Sequence, residues 1–185
     1  MFIEDGKGKN GLASVSVVQR LNVSAKTATR QFYAARDFGL SYVTIYDGMT
    51  VAAGDICAYL KNSSSSRNLF IKTIDVSGAE AIKWKIFAVT GAAASGASVT
   101  PASTNLAKSI TADAVAMSGD TAITGLTTGD QLDTFRSVAT GGECRNYDGN
   151  IQLGPGDALA IEYDTGTTGL CEAVISFYYE ALTNY

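Results

Sequence analysis

The side chains able to do chemistry are spread thinly through this sequence, and their spacing excludes more than it supports. Histidine is absent from all 185 residues, which removes the commonest general base and the commonest zinc ligand together. The acids Glu4, Asp5, Glu143, Glu162, Asp164, Glu172 and Glu180 could supply a glycosidase pair, which needs two carboxyls about 5–9.5 Å apart across a cleft. They stand in no motif, and acids at strand ends and turns are ordinary solvated groups. Serines are plentiful, but no GxSxG elbow is present and no SxxK has its supporting motifs. Residues 5–11, DGKGKNG, have the glycine content of a phosphate loop without the GK[ST] that completes one. Lysines also occupy the places where a calcium loop needs oxygen ligands. Residues 164–169, DTGTTG, offer oxygens, yet a hairpin turn uses the same residues. The expectation is a protein that is not an enzyme, with no catalytic residue, no cofactor and no metal site.

The cysteines point the same way. Cys57, Cys144 and Cys171 are an odd number without CxxC spacing. Cys57 and Cys171 sit in strand-like runs, where a free cysteine behaves as a small hydrophobe. Reduced core thiols made in a cytosol are expected, in preference to a disulfide or a metal site.

Charge and composition narrow the partners. The net charge is −4, with Lys and Arg scattered singly, so no basic stripe exists to neutralise phosphates and direct nucleic-acid binding is not expected. No apolar run approaches the ~20 residues of a spanning helix, so no membrane partner is expected. Apolar residues make up 46% and charged residues only 17%, a balance that leans toward surface hidden in an oligomer.

The elements that would carry any site alternate with period two. In residues 55–62, DICAYLKN, Ile56, Ala58 and Leu60 share one face, with Cys57 and Tyr59 on the other. After the polar NSSSSR comes NLFIKTIDV at 68–76, with Phe70, Ile74 and Val76 on one face, so 55–61 and 68–76 read as a hairpin. Ile82, Trp84, Ile86 and Ala88 alternate with Lys83 and Lys85 in a half-buried strand. Leu159, Ile161 and Tyr163 follow a Gly-Pro-Gly turn, and residues 170–182 are apolar on both faces, as in a central strand or one covered by a neighbour. VSVVQRLNV at 15–23, SYVTIY at 41–46 and QLDTFRSVA at 131–139 add further strands. ATRQFYAARDF at 28–38 has the spacing of a short helix. Residues 110–117 fit a helix or a strand, and their neighbours favour the strand. Residues 91–103 and 118–130 read as small-residue loops. Eight or nine short strands with close turn signals define an all-β protein. A jelly-roll-like β-sandwich over residues 13–185 fits best, preceded by an extended N-terminal arm over residues 1–12.

That arm is the most informative stretch. Glycines at 6, 8 and 11 leave it no regular structure of its own, and ordering it costs about 1–2 kcal/mol per residue. Either contacts with a neighbour offset that cost, or the arm is a frayed terminus. Phe2 and Ile3 are the apolar anchors, flanked by Glu4, Asp5, Lys7 and Lys9. These six residues are the candidate interface with a neighbouring subunit.

Several segments resemble one known group. Residues 3–6 (IEDG), Ala13 with Val15, and Arg20-Leu21 with Val23 resemble the opening of small tailed-bacteriophage virion proteins. AGDICAYLKNSSSSRNLFI at 53–71, ITGL at 123–126 and LGPGDALAIEY at 153–163 continue the likeness. The resemblance implies a capsid decoration (cement) protein or a related head-associated structural protein. Such a protein binds major capsid subunits on the outer shell, as a homo-oligomer with a trimer favoured, and stabilises the head. It would be made in the host bacterial cytoplasm and reside on the outer capsid surface of the virion. The alternative is a fibre, tail or receptor-binding jelly roll that recognises a host surface glycan.

Overall fold

The computed structural model describes residues 30–119, 122–165 and 168–181. The expected arm over 1–12, its six candidate interface residues and the strand expected over 15–23 lie outside these. Eleven strands are described: β1 (Ser41–Val51), β2 (Asp55–Asn62), β3 (Arg67–Gly78), β4 (Ile82–Ala94), β5 (Ala97–Val99), β6 (Ala102–Ser103), β7 (Ala114–Ser118), β8 (Thr124–Ser137), β9 (Gly142–Leu153), β10 (Ala158–Thr165) and β11 (Gly169–Ala181). They form two packed antiparallel sheets, ordered β6-β1-β11-β3-β9 and β5-β7-β2-β10-β4-β8.

The eight long strands follow one rule. β1, β2, β3 and β4 pair with β11, β10, β9 and β8 respectively, the first half of the chain matched in reverse order with the second. A two-stranded ribbon with its apex between β4 and β8, wrapped around a core, produces this order. It is a jelly roll, as the strand pattern leads one to expect. The apex carries the inserted strands β5, β6 and β7. β6 pairs with the edge of β1, β7 with the edge of β2, and β5 with β7. One side of the sandwich is therefore capped by the insertion, while among the described residues β8 and β9 are the edge strands on the other.

The core lies between the sheets and is rich in aromatic rings. Trp84 meets Tyr163 edge-on at 5.6 Å, and Tyr42 stacks on Phe177 at 5.5 Å. Buried tyrosine and tryptophan need partners for their polar tips. Trp84 Nε1 donates to Ser137 Oγ at 3.0 Å, and the Tyr46 hydroxyl donates to the Tyr59 carbonyl at 2.9 Å. A smaller apolar cluster, with Ile56, Tyr59, Val89, Ile123 and Ala160, sits on the outer face of the second sheet. The backbone of Ile123 donates to the Ile56 carbonyl at 2.9 Å and holds the β7–β8 connection over it.

Residues 28–38 were expected to include a short helix. Arg30–Tyr33 is α-helical and Ala34–Phe38 continues as a single π-type turn. Gly39 ends it at φ 67°, where a Cβ would lie 2.1 Å from the Lys108 carbonyl oxygen, so only glycine suits the position.

Five local expectations are corrected. Residues 55–61 and 68–76 are not a hairpin: β2 and β3 lie in different sheets, joined by a corner. The pin of that corner is Asn62, whose Nδ2 donates to the carbonyls of Arg67 (2.8 Å) and Leu153 (2.9 Å) while its Oδ1 accepts from the Ser64 amide (3.0 Å). Register shifts in β2 and β3 break the simple alternation. Cys57 turns inward with Ala58 and Leu60, and Phe70 faces outward while Leu69, Ile71, Ile74 and Val76 face the core. Residues 118–130 are not all loop, since β8 begins at Thr124 and runs for 14 residues. Residues 91–103 likewise include the end of β4 together with β5 and β6, while strand structure in 110–117 begins only at Ala114.

Replacing Asn62 by Ala removes the side-chain donor from the Arg67 and Leu153 carbonyls and the acceptor from the Ser64 amide. Equilibrium urea unfolding should show a loss of about 2–4 kcal/mol, and a loss under 0.5 kcal/mol would mean the corner is held otherwise.

The alternation of Lys83 and Lys85 with core residues has a cross-strand counterpart. Lys83 Nζ lies 2.9 Å from Asp164 and Lys85 Nζ lies 3.2 Å from Glu162, with Lys85 also hydrogen-bonded to Asp164. The hydrogen bond from Lys85, then that from Lys83, lowers the Asp164 carboxyl below its ordinary 3.8. A lowered acid contributes stability above its unfolded value and loses it as the pH falls through the folded value. Asp164→Asn should therefore flatten the drop in urea midpoint between pH 5 and 2, by roughly the amount this acid supplies. An unchanged acid limb would show that the ladder adds nothing.

Candidate functional site

The uncapped side of the sandwich is the candidate interaction surface. Its two edges are long, 14 residues in β8 and 12 in β9. β9 is absent from the sequence-based strand list, and its residues explain why. Glu143, Arg145, Tyr147 and Ile151 are half-buried, alternating with exposed Cys144, Asn146, Asp148, Asn150 and Gln152. The period of two is present, but it alternates large polar side chains with small polar ones, so an apolar pattern does not reveal it.

The inward side chains of β9 stitch the two edges together over half their length. The Tyr147 hydroxyl donates to Asp133 Oδ2 of β8 at 2.7 Å. Burial, and then the Asp133 carboxylate it binds, push the Tyr147 hydroxyl well above the ordinary tyrosine value, so it remains a donor. The Arg145 guanidinium lies over the Phe135 ring at 5.1 Å, and its Nε is 3.7 Å from Glu143. Further along, the edges part. Val89, Leu132, Ile151, Leu153, Asp130 and Asp157 line a groove of about 510 Å³ there. Leu132 is 42% exposed at its rim, and Val138, in the turn that joins the edges, is 68% exposed.

The backbone of these edges suits side-chain docking more than strand addition. β8 shows three register shifts against β4, and β9 shows one against β3. Gly91 (φ 101°) and Gly125 (φ 79°) face each other so closely that a Cβ on either would lie within 2.4 Å of a carbonyl oxygen. Bulges and edge charges deflect open-ended pairing. A partner at this surface meets a groove and its flanking acids.

The described candidate acids are held by neighbours. Glu143 lies beside Arg145, Glu162 and Asp164 share Lys85 in the lysine ladder, Glu172 accepts from Ser77 Oγ at 3.3 Å, and Glu180 lies 3.6 Å from Arg30. Glu143 and Glu172 line one pocket together with Asp75 and Cys144. The NSSSSR loop forms the Asn62 corner. Phe2, Ile3, Glu4, Asp5, Lys7 and Lys9 fall outside the described residues, so the structure neither joins them to this groove nor separates them from it. Comparison of the chain with protein-family models, with curated proteins and with solved structures gives no match.

Tyr147→Phe removes the one hydroxyl that links β9 to Asp133. Thermal or urea unfolding should show a loss of about 1–2 kcal/mol, with faster amide exchange confined to β9 and the neighbouring part of β8. Exchange that stays at wild-type rates along β9 would show that the stitch does not hold the edge.

Proposed function

We propose that this chain is a structural virion protein, a capsid decoration protein that binds major capsid subunits on the outer shell of a tailed-phage head. In this reading the sandwich assembles as a homo-oligomer, with a trimer favoured, and residues 1–12 tether it to the shell or to a sister copy. The observation that carries the reading is the asymmetry of the sandwich. One side is closed by the chain's own β5–β7 insertion, while the other keeps two bulged edges and a groove of about 510 Å³. Ile45 and Leu170 add exposed aliphatic surface on the outer face of the first sheet, at 57% and 53% exposure. The segments at 53–71 and 153–163 that resemble phage virion proteins include the β2–β3 corner and the β9–β10 turn. Several weak contacts made at once by a closed oligomer give strong attachment, because each raises the effective concentration of the next.

Purified protein mixed with expanded heads of the phage that encodes it should cosediment to saturation, and light scattering should give an oligomer in solution. Deleting residues 1–12 should leave the circular dichroism spectrum and melting temperature near wild type while weakening shell affinity by about tenfold or more, equivalent to about 1.4 kcal/mol. Leu132→Lys should reduce oligomerisation or shell binding without unfolding the domain. A monomer with no affinity for the shell, and with a signal on host glycans, would replace this reading by the receptor-binding one.

A further inference from the structure

Among the described residues, two clefts meet at Arg30, far from the β8 and β9 edges. The first, of about 480 Å³, is lined by Tyr33, Ala34, Phe38 and Leu40, with Arg67 and Glu180 beside them. The π-type turn makes it. The Leu40 amide donates to the Ala34 carbonyl at 2.9 Å, and the Leu40 carbonyl accepts from the Tyr179 amide at 2.9 Å. Ala34 and Leu40 are thereby fixed against β11, while Phe38 stays exposed.

The second cleft, of about 320 Å³, is polar and lined by Arg30, Gln31, Lys72, Asp148 and Tyr178. The Tyr178 ring stacks on Phe70 at 5.4 Å, and its hydroxyl rests against Gly149, where a Cβ would lie 2.7 Å from it. Burial raises that hydroxyl above the ordinary tyrosine value, so it stays a donor. Gln31 is engaged with Ser41 Oγ at 3.1 Å, and Arg30 reaches Glu180 only at 3.6 Å. Lys72 has no ion-pair partner among the described residues.

An apolar cleft beside a cationic one suits a peptide that is apolar at one end and acidic at the next residues. This sequence contains such a peptide: Phe2 and Ile3 are followed directly by Glu4 and Asp5. Lys7, two residues further on, is the counterpart of Asp148, the one acid lining the second cleft. We infer that the paired clefts receive Phe2, Ile3, Glu4 and Asp5 of a second copy of this chain. Phe2 and Ile3 enter beside Phe38 and Leu40, and the two carboxylates meet Arg30, Lys72 and the Tyr178 hydroxyl. Each copy has one such peptide and one such pair of clefts. Copies that pass the peptide on in a single direction therefore fill every site once the ring closes. The inference rests on the homo-oligomer proposed above and is indifferent to the shell.

The test uses the full-length protein with Phe2 replaced by the photoreactive analogue benzoylphenylalanine, irradiated in the absence of phage heads. Covalent dimers and larger products are expected on a denaturing gel, with position 2 joined to residues 30–40. Lys72→Glu should weaken self-association about tenfold, and adding Asp5→Lys to the same chain should recover most of it. Cross-links confined to single chains would overturn the inference by making the occupant the chain's own arm. Cross-links to residues 129–153, or none at all, would overturn it too, as would a double variant no better than Lys72→Glu alone. Cosedimentation with heads is scored separately. Intermolecular cross-links without shell binding would sink the decoration reading and leave this one standing, while shell binding by a monomer would do the reverse.

Discussion

Everything in this structure depends on the pairing of the chain's first half with its second in reverse order. No long strand hydrogen-bonds to the one that follows it directly in the first half: β1, β2, β3 and β4 alternate between sheets and take their partners from β8 to β11. The backbone groups of each half are therefore satisfied only when the other half is in place. Burial of the aromatic seam around Trp84, Tyr163 and Tyr42 has the same requirement, since its residues come from strands far apart in sequence. Local propensity can make the strands, but the core exists only after the ribbon has wrapped. Such non-local topologies fold slowly compared with helical bundles of similar size.

The two sides of the sandwich resolve their edges differently for that reason. The apex of the ribbon is where an insertion can leave and return without disturbing the pairing rule, and β5–β7 occupy it. They close the edges of β1 and β2. Among the described residues the β8 and β9 edges have no such cover and are managed by side chains. Tyr147 and Arg145 bridge them at one end, and bulges with charged residues guard the rest. The groove that remains is the part of the surface where neither device operates.

The sequence revealed the class of fold because its inward faces are apolar and regular. Leu159, Ile161 and Tyr163, and Cys171 through Tyr179 at alternate positions, face the core as their spacing indicates. It did not reveal the register shifts, since one extra residue at Cys57 or near Lys72 changes no composition and only the partner strand exposes it. It suggested a hairpin at 55–76 because a polar loop between two strands looks the same whether it turns within a sheet or between sheets. Asn62 carries the difference, and one buried asparagine has no signature among loop serines. Of the candidate surface, Leu132 and Asp133 fell within a recognised strand, whereas β9 was hidden by its polar alternation. The six arm residues were singled out by composition alone, and the described fold begins at Arg30.

The ion pair between Arg30 and Glu180 places the start and the end of the described chain at one corner of the first sheet. Any pull delivered through either flank enters at β1 and β11. To reach the β9 rim it must cross successive rows of interstrand hydrogen bonds through β3, at right angles to the strands. That load path draws on lateral cohesion between neighbouring ladders, reinforced by the second layer beneath, and so the sheet order itself sets which rupture comes first.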